Sequence, residues 1–163
     1  MPGALAAIWI KRFKGGPMDP AEAAALVADR GIVGNVNQGG RRQVTIIEAG
    51  VWDGMMRTLN GDLDPSARRA NLMVRGVSLR NARGKTLHVG DCRIHLLGET
   101  RPCERMEEAL SGLQRVMGHP WRGGAFGVVL DDGVIRVGDP VELRDAAWDG
   151  LNPAPASRRP IGS

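Results

Sequence analysis

Chemistry in this chain centres on Cys103. It lies in Thr100-Arg101-Pro102-Cys103-Glu104-Arg105-Met106, directly before an apolar repeat of helical spacing: Met106, Ala109, Leu110, Leu113 and Met117. A thiol at a helix N-terminus feels the positive end of the backbone dipole, and Arg101 and Arg105 add charge beside it. These features favour the thiolate, the form that attacks sulfur or binds soft metals. Glu104, Glu107 and Glu108 work against it, although they favour the helix start. The competing reading is a small buried hydrophobe, which suits Cys92 on its strand better.

A second constellation is Arg68-Arg69-Ala70-Asn71. If strand geometry begins there, Arg69 and Asn71 point to one side and pair a cation with an amide donor, which suits a phosphate or a carboxylate. A strand edge with solvated polar residues is the equally simple alternative. Arg41 and Arg42, beside a Gly/Asn-rich loop over residues 31–42, can serve the same anion. Trp121-Arg122-Gly123-Gly124 is a loop where backbone N–H groups can approach a ligand.

Other familiar sites fall away. Gly84-Lys85-Thr86 lacks the earlier glycine of a phosphate loop, because that position is Leu79, and a strand follows it. Cys92 and His95 face opposite sides of a strand, and His88 and His119 are the only other histidines, so no zinc site is expected. No serine stands in a nucleophile elbow.

The elements that must position these residues are short. Residues 6–12 read as a strand, with Ile8 and Ile10 on one face and Trp9 on the other. Asp19-Pro20-Ala21-Glu22 looks like a helix start, and the Ala-rich run to Arg30, stopped by Gly31, extends it. Strands follow at 43–48, 71–74, 85–89 and 93–97. Trp52, Met55, Met56 and Leu59 mark a helix with an apolar face, and a third helix spans about 104–117. Residues 125–137 read as a hairpin turning at Asp131-Asp132-Gly133, with a last strand at 141–143. Seven or eight strands and three short helices, without strand–helix alternation, predict a mainly β fold: a closed or nearly closed barrel decorated by helices. Residues 1–145 form one domain in this reading, and the Pro/Ala/Arg-rich tail 146–163 is expected to be disordered.

Composition agrees. Of 163 residues, 23 are Gly and 10 are Pro, about a fifth against the roughly 12% of average usage, as a turn-rich fold requires. Two cysteines cannot supply a disulfide framework for a chain of this size, so a reducing cytoplasm is expected. The net charge of +4 is carried almost wholly by arginine, since Lys11, Lys14 and Lys85 are the only lysines. No basic run exceeds two residues, which argues against nucleic acid, whereas arginine clamps oxyanions bidentately. Codon bias explains the same excess. The first apolar run, 4–10, is too short for a span and carries its charges on the wrong side for a signal peptide.

In order and spacing, Gly31-Ile32-Val33-Gly34, Arg42-Gln43-Val44-Thr45, Arg69-Ala70-Asn71-Leu72, Gly76-Val77, Pro102-Cys103-Glu104-Arg105-Met106 and Gly133-Val134-Ile135-Arg136-Val137-Gly138-Asp139 resemble the MOSC domain. That family takes its name from the C-terminal domain of molybdenum cofactor sulfurase. The resemblance implies a β-barrel-like fold. It also implies that Cys103 is the functional thiol, holding sulfur as a persulfide or ligating molybdenum. Arg69 and Asn71 match an Arg-x-Asn motif that contributes to the pterin site in the amidoxime-reducing branch, with Arg41, Arg42 and Arg101 as further anion contacts. The implied partners are a sulfur donor or acceptor protein, or a redox partner. Many relatives carry Gly-Asp, often followed shortly by His, where this chain has Gly34-Asn35-Val36-Asn37, which argues against an acid–base or metal role for that loop. The amidoxime-reducing branch also has an additional N-terminal domain, whereas few residues precede the first strand here.

Three functions follow as alternatives. They are a cofactor-binding or sulfur-carrying module, a molybdenum-dependent reductase of N-hydroxylated compounds, and a non-catalytic interaction module whose thiol is incidental. The first two require Cys103 to open onto the same site as Arg69.

Overall fold

The computed structural model describes residues 3–145, so the tail expected at 146–163 lies outside the described residues. Eleven strands and three α-helices are present among them: β1 (Gly3–Lys11), β2 (Met18–Ala21), β3 (Ala23–Val27), β4 (Gly31–Ile32), β5 (Val44–Glu48), α1 (Ala49–Leu59), β6 (Leu72–Arg75), β7 (Thr86–Val89), β8 (Cys92–Glu99), α2 (Glu104–Ala109), α3 (Leu113–Met117), β9 (Ala125–Val129), β10 (Gly133–Arg136) and β11 (Pro140–Arg144).

Seven strands close a barrel in the order β11-β7-β8-β9-β5-β6-β1, and β1 returns to β11 through Gly3↔Val141 and Ala4↔Pro140. β1 serves three partners in turn, with a register shift between Leu5 and Ala7 as it runs along β6, and its last residues pair with β2. β5 and β6 are parallel, as their joining helix α1 allows. The barrel is filled by aliphatic side chains, among them Leu5, Ile8, Ile46, Leu72, Ile94 and Leu96, all essentially inaccessible to water. A second apolar cluster packs α1 against α2 and α3 through Trp52, Met55, Met56, Met106, Leu113 and Met117. The methionine face therefore fills core.

Three expectations are corrected. Residues 19–30 hold most of β2, all of β3 and a turn, not a helix. Alternation wins over alanine's helix propensity: Ala24 and Leu26 point inward, Ala25 and Val27 outward, and the segment pairs with β10 and β4. Pro20 sits on β2, at the edge of the large sheet, where a missing N–H is tolerated. The helix over 104–117 breaks into two, because Leu110 leaves helical geometry and Gly112 adopts φ 88°. Finally, β9 and β10 are not a hairpin. Both edges of β9 are taken by β8 and β5, and β10 joins β3 in a separate three-stranded sheet. Asp131 chelates the Arg93 guanidinium at 2.8 and 2.9 Å, and Asp132 accepts the Ala28 N–H at 2.8 Å, so this turn faces away from a hairpin partner. Ile8 and Ile10 join the barrel core, as expected of one face, whereas Trp9, also buried, lies outside that cluster.

Candidate functional site

The segments leaving β1 and β8 and those entering β5, β6 and β9 converge on a cleft of about 340 Å³. Its charged walls are Lys11, Arg42, Arg68, Arg69, Arg101 and Arg105, with no aspartate or glutamate among them. Cys103 opens into it and is exposed.

The wall nearest the thiol is built by a clamp between two backbones. Thr100 Oγ1 donates to the Gly123 carbonyl at 2.5 Å, Arg68 Nε donates to the same carbonyl at 3.1 Å, and the Thr100 N–H reaches the Gly124 carbonyl at 2.9 Å. The chains approach so closely that a Cβ on Gly123 would lie 2.0 Å from the Thr100 carbonyl oxygen. This is why glycine stands there: it permits the clamp, and its carbonyl is committed to Thr100 and Arg68. Arg68 ends a 3-10 turn over Pro65–Arg68 that starts with Pro65 and is capped by Asp64, which accepts the Ser66 N–H at 2.9 Å. Arg69 then takes a left-handed conformation, φ 65°, and turns the chain into β6. Its guanidinium donates to the Gly16 carbonyl.

Electrostatically the cleft is under-compensated. Of its six cations only Arg101 has a carboxylate partner within ion-pair distance among the described residues, Glu99 at 3.5 Å. Burial pulls the Arg68 guanidinium below its ordinary value, Arg42 adds repulsion, and the charge of an ionised Cys103 acts the other way. Lys11 is lowered by burial and then by Arg69 and Arg105, and Arg69 by burial and then by Arg105. A bound anion would relieve each of these. Arg42 stacks on the Phe126 ring, 4.6 Å from its centroid, which fixes it at the rim.

Asn71 lines the cleft as well, but its amide is consumed internally. Oδ1 accepts from Thr45 N at 3.2 Å and Thr45 Oγ1 at 3.4 Å, while Nδ2 donates to the Trp9 carbonyl at 3.2 Å and to Asn35 Oδ1 at 3.1 Å. It is a positioning residue and leaves no donor for a ligand.

The structure thus brings together Cys103, Arg69, Asn71, Arg42 and Arg101, as the sequence reading requires. Arg41 is exposed and does not line the cleft, because the chain turns between it and Arg42 to enter β5. α2 is only six residues long, so the positive surroundings of Cys103 come from arginines more than from a helix dipole. Sequence reasoning missed Arg68, Lys11 and Asn35 as site residues. Arg68 was signalled only by its place beside Arg69, Lys11 only by its place at the end of a strand. Cys92, by contrast, is buried in the barrel, and burial with the negative charges of Asp131, Asp91, Asp139 and Asp132 pushes its thiol up to about 11.

The MOSC domain model matches residues 15–142, which contain every charged residue of this cleft except Lys11. This chain belongs to the MOSC domain family. YuaD from Bacillus subtilis shares the fold at TM-score 0.76 and 18% identity, covering 89% of this chain and 97% of that one. YiiM from Geobacillus stearothermophilus does so at TM-score 0.70 and 15% identity, over 92% and 79% of the two chains. YiiM from Escherichia coli follows at 0.63 and 16%, over 87% and 70%. No curated protein matches the sequence. Among the described residues no helix is long and apolar enough to cross a membrane, and no three His, Cys, Asp or Glu side chains cluster as a metal site would need.

Proposed function

We propose that this MOSC domain binds the molybdenum cofactor or carries sulfur for metal–sulfur cofactor chemistry, with Cys103 as its working thiol. One observation carries the reading: an exposed cysteine opens onto a cleft whose charged walls are wholly cationic. The donor set fits such a group, since a soft thiolate suits molybdenum and sulfur, and unpaired arginines suit an anionic pterin phosphate. Cys103 would hold the metal, and Arg68, Arg69, Arg42 and Lys11 the anionic portion. When bound, the cofactor supplies redox and sulfur chemistry that no side chain here has.

The chain's own contribution is binding and charge. Arg68, anchored on Gly123, holds a positive charge in the cleft wall that Cys103 also lines. As a carrier, the Cys103 thiolate attacks the outer sulfur of a donor's persulfide. The new S–S bond forms on Cys103, the donor's S–S bond breaks, and the donor leaves as thiolate, so no external electrons are needed. Exposure of Cys103 lets a sulfur donor or acceptor protein reach it, and a reducing cytoplasm would keep it free between cycles.

The test is molybdenum and pterin analysis, with intact mass, of protein purified from a cofactor-competent host, using Cys103→Ser as control. Sulfur added at Cys103 and removed by reductant supports the carrier. Stoichiometric molybdenum lost in the variant supports cofactor binding and directs assays to reduction of N-hydroxylated compounds. Neither metal nor sulfur would overturn the proposal and leave an interaction module.

A further inference from the structure

Asn35 lies in the loop after β4, lines the cleft and is 4% exposed. Its orientation is fixed by its partners. The Asn71 amide must point Nδ2 toward the Trp9 carbonyl, because two oxygens cannot share a hydrogen bond there. That same Nδ2 then meets Asn35 as a donor, so the Asn35 atom facing it is the carbonyl oxygen, Oδ1. The backbone N–H of Lys11 donates to this same Oδ1 at 2.9 Å and confirms the assignment. The Asn35 backbone is also committed: its carbonyl accepts from Gln38 Nε2 at 2.8 Å and its N–H reaches the Ile32 carbonyl at 3.0 Å. What remains is Nδ2, carrying two N–H donors with no protein partner among the described residues. A buried amide left in this state is unfavourable unless something in the cleft accepts from it.

We propose that Asn35 is a specificity-determining residue of the cleft, donating from Nδ2 to an unprotonated oxygen of the oxyanion that the cationic walls hold. It rests on the anion-binding part of the function proposed above, not on the fate of Cys103. The walls supply charge that any anion satisfies. Asn35 adds a directed donor on a rigid mount, which requires the ligand to present an acceptor at that depth. The ligand class is a phosphate-type or metal oxyanion.

Asn35→Asp isolates this atom. The carboxylate keeps one oxygen for Lys11 and Asn71 and turns the cleft-facing donor into a charged acceptor. The full chain is titrated with inorganic phosphate and, separately, with molybdate at constant ionic strength, by calorimetry and by the Asn35 side-chain amide signals in ¹H–¹⁵N spectra. The amide signals should shift saturably with the calorimetric midpoint, and Asn35→Asp should weaken binding by at least about tenfold. Arg144→Gln, an equal change of net charge away from the cleft, should leave it unchanged. Tighter phosphate binding identifies a phosphate-bearing ligand, and tighter molybdate binding a metal oxyanion. Equal affinity in wild type and Asn35→Asp, or amide signals that stay in place under both anions, overturns the inference. If Asn35→Asp fails to fold, the wild-type amide titration decides alone. Absence of metal, pterin and persulfide from the native protein would sink the proposed function while leaving the Asn35 result standing, so the two failures are distinguishable.

Discussion

Asn71 Nδ2 donates to Asn35 Oδ1 across 3.1 Å, where β1, β5 and β6 meet beneath the cleft. The pair is nearly inaccessible to water, Asn71 being 6% exposed. Four hydrogen bonds converge on the Asn71 amide, and removing it strands the Trp9 carbonyl and the Thr45 N–H and leaves Asn35 Oδ1 with only the Lys11 N–H. Asn71→Ala should therefore destabilise the fold by about 2–4 kcal/mol, read from the denaturation midpoint. A loss of ligand affinity with unchanged stability would instead show that Asn71 touches the ligand directly.

The two thiols should separate cleanly under alkylation. Cys103 is exposed, whereas Cys92 is buried with its thiol pushed up to about 11, so its thiolate fraction at neutrality is on the order of one in ten thousand. Iodoacetamide should add one equivalent to the folded protein, located at Cys103 by peptide mapping, and a second only after denaturation. Labelling of Cys92 in the native state would mean that the barrel opens at that end.

Which parts of this were legible in the sequence follows from the range of the interactions involved. The strands at β1, β5 and β8 are written in local alternation of β-branched and aliphatic residues, and the α1 face in its Trp/Met spacing. The segment 19–30 is not, because alanine carries little periodic signal and the pairing that decides it comes from β10, about a hundred residues away. The same holds at the site. Cys103, Arg69, Arg42 and Arg101 are visible as residue types beside turns. Whether Asn71 or Asn35 offers a donor to the cleft depends on Trp9, Lys11 and Thr45, which lie 24 to 62 residues from the amides they bind. No local pattern encodes that choice.

Glu48, at the end of β5, is half-buried, and burial raises its carboxyl above the ordinary value, although the Leu79 N–H donated to Oε2 at 3.0 Å opposes this. A carboxyl raised by folding contributes stability that is complete below the unfolded value and lost as pH rises through the folded one. Glu48→Gln keeps an acceptor for Leu79 and cannot ionise. It should melt above wild type at neutral pH, with the difference vanishing on acidification below the ordinary glutamate range. Parallel melting curves across that window would refute the assignment.

Arg68 acts on Cys103 in two separable ways. It braces the Thr100–Gly123 clamp through Nε, and it places a positive charge beside the thiol. Arg68→Met removes both, and should slow alkylation of Cys103 near neutrality by roughly three- to tenfold, the scale of one unit charge at a partly screened site. Thr100→Val removes the side-chain half of the clamp and leaves the charge. If the charge dominates, Thr100→Val lowers the melting temperature while alkylating at nearly the wild-type rate, and Arg68→Lys falls between Met and Arg. If Thr100→Val slows the reaction as much as Arg68→Met, the arginine matters through the geometry of the wall and not through its charge.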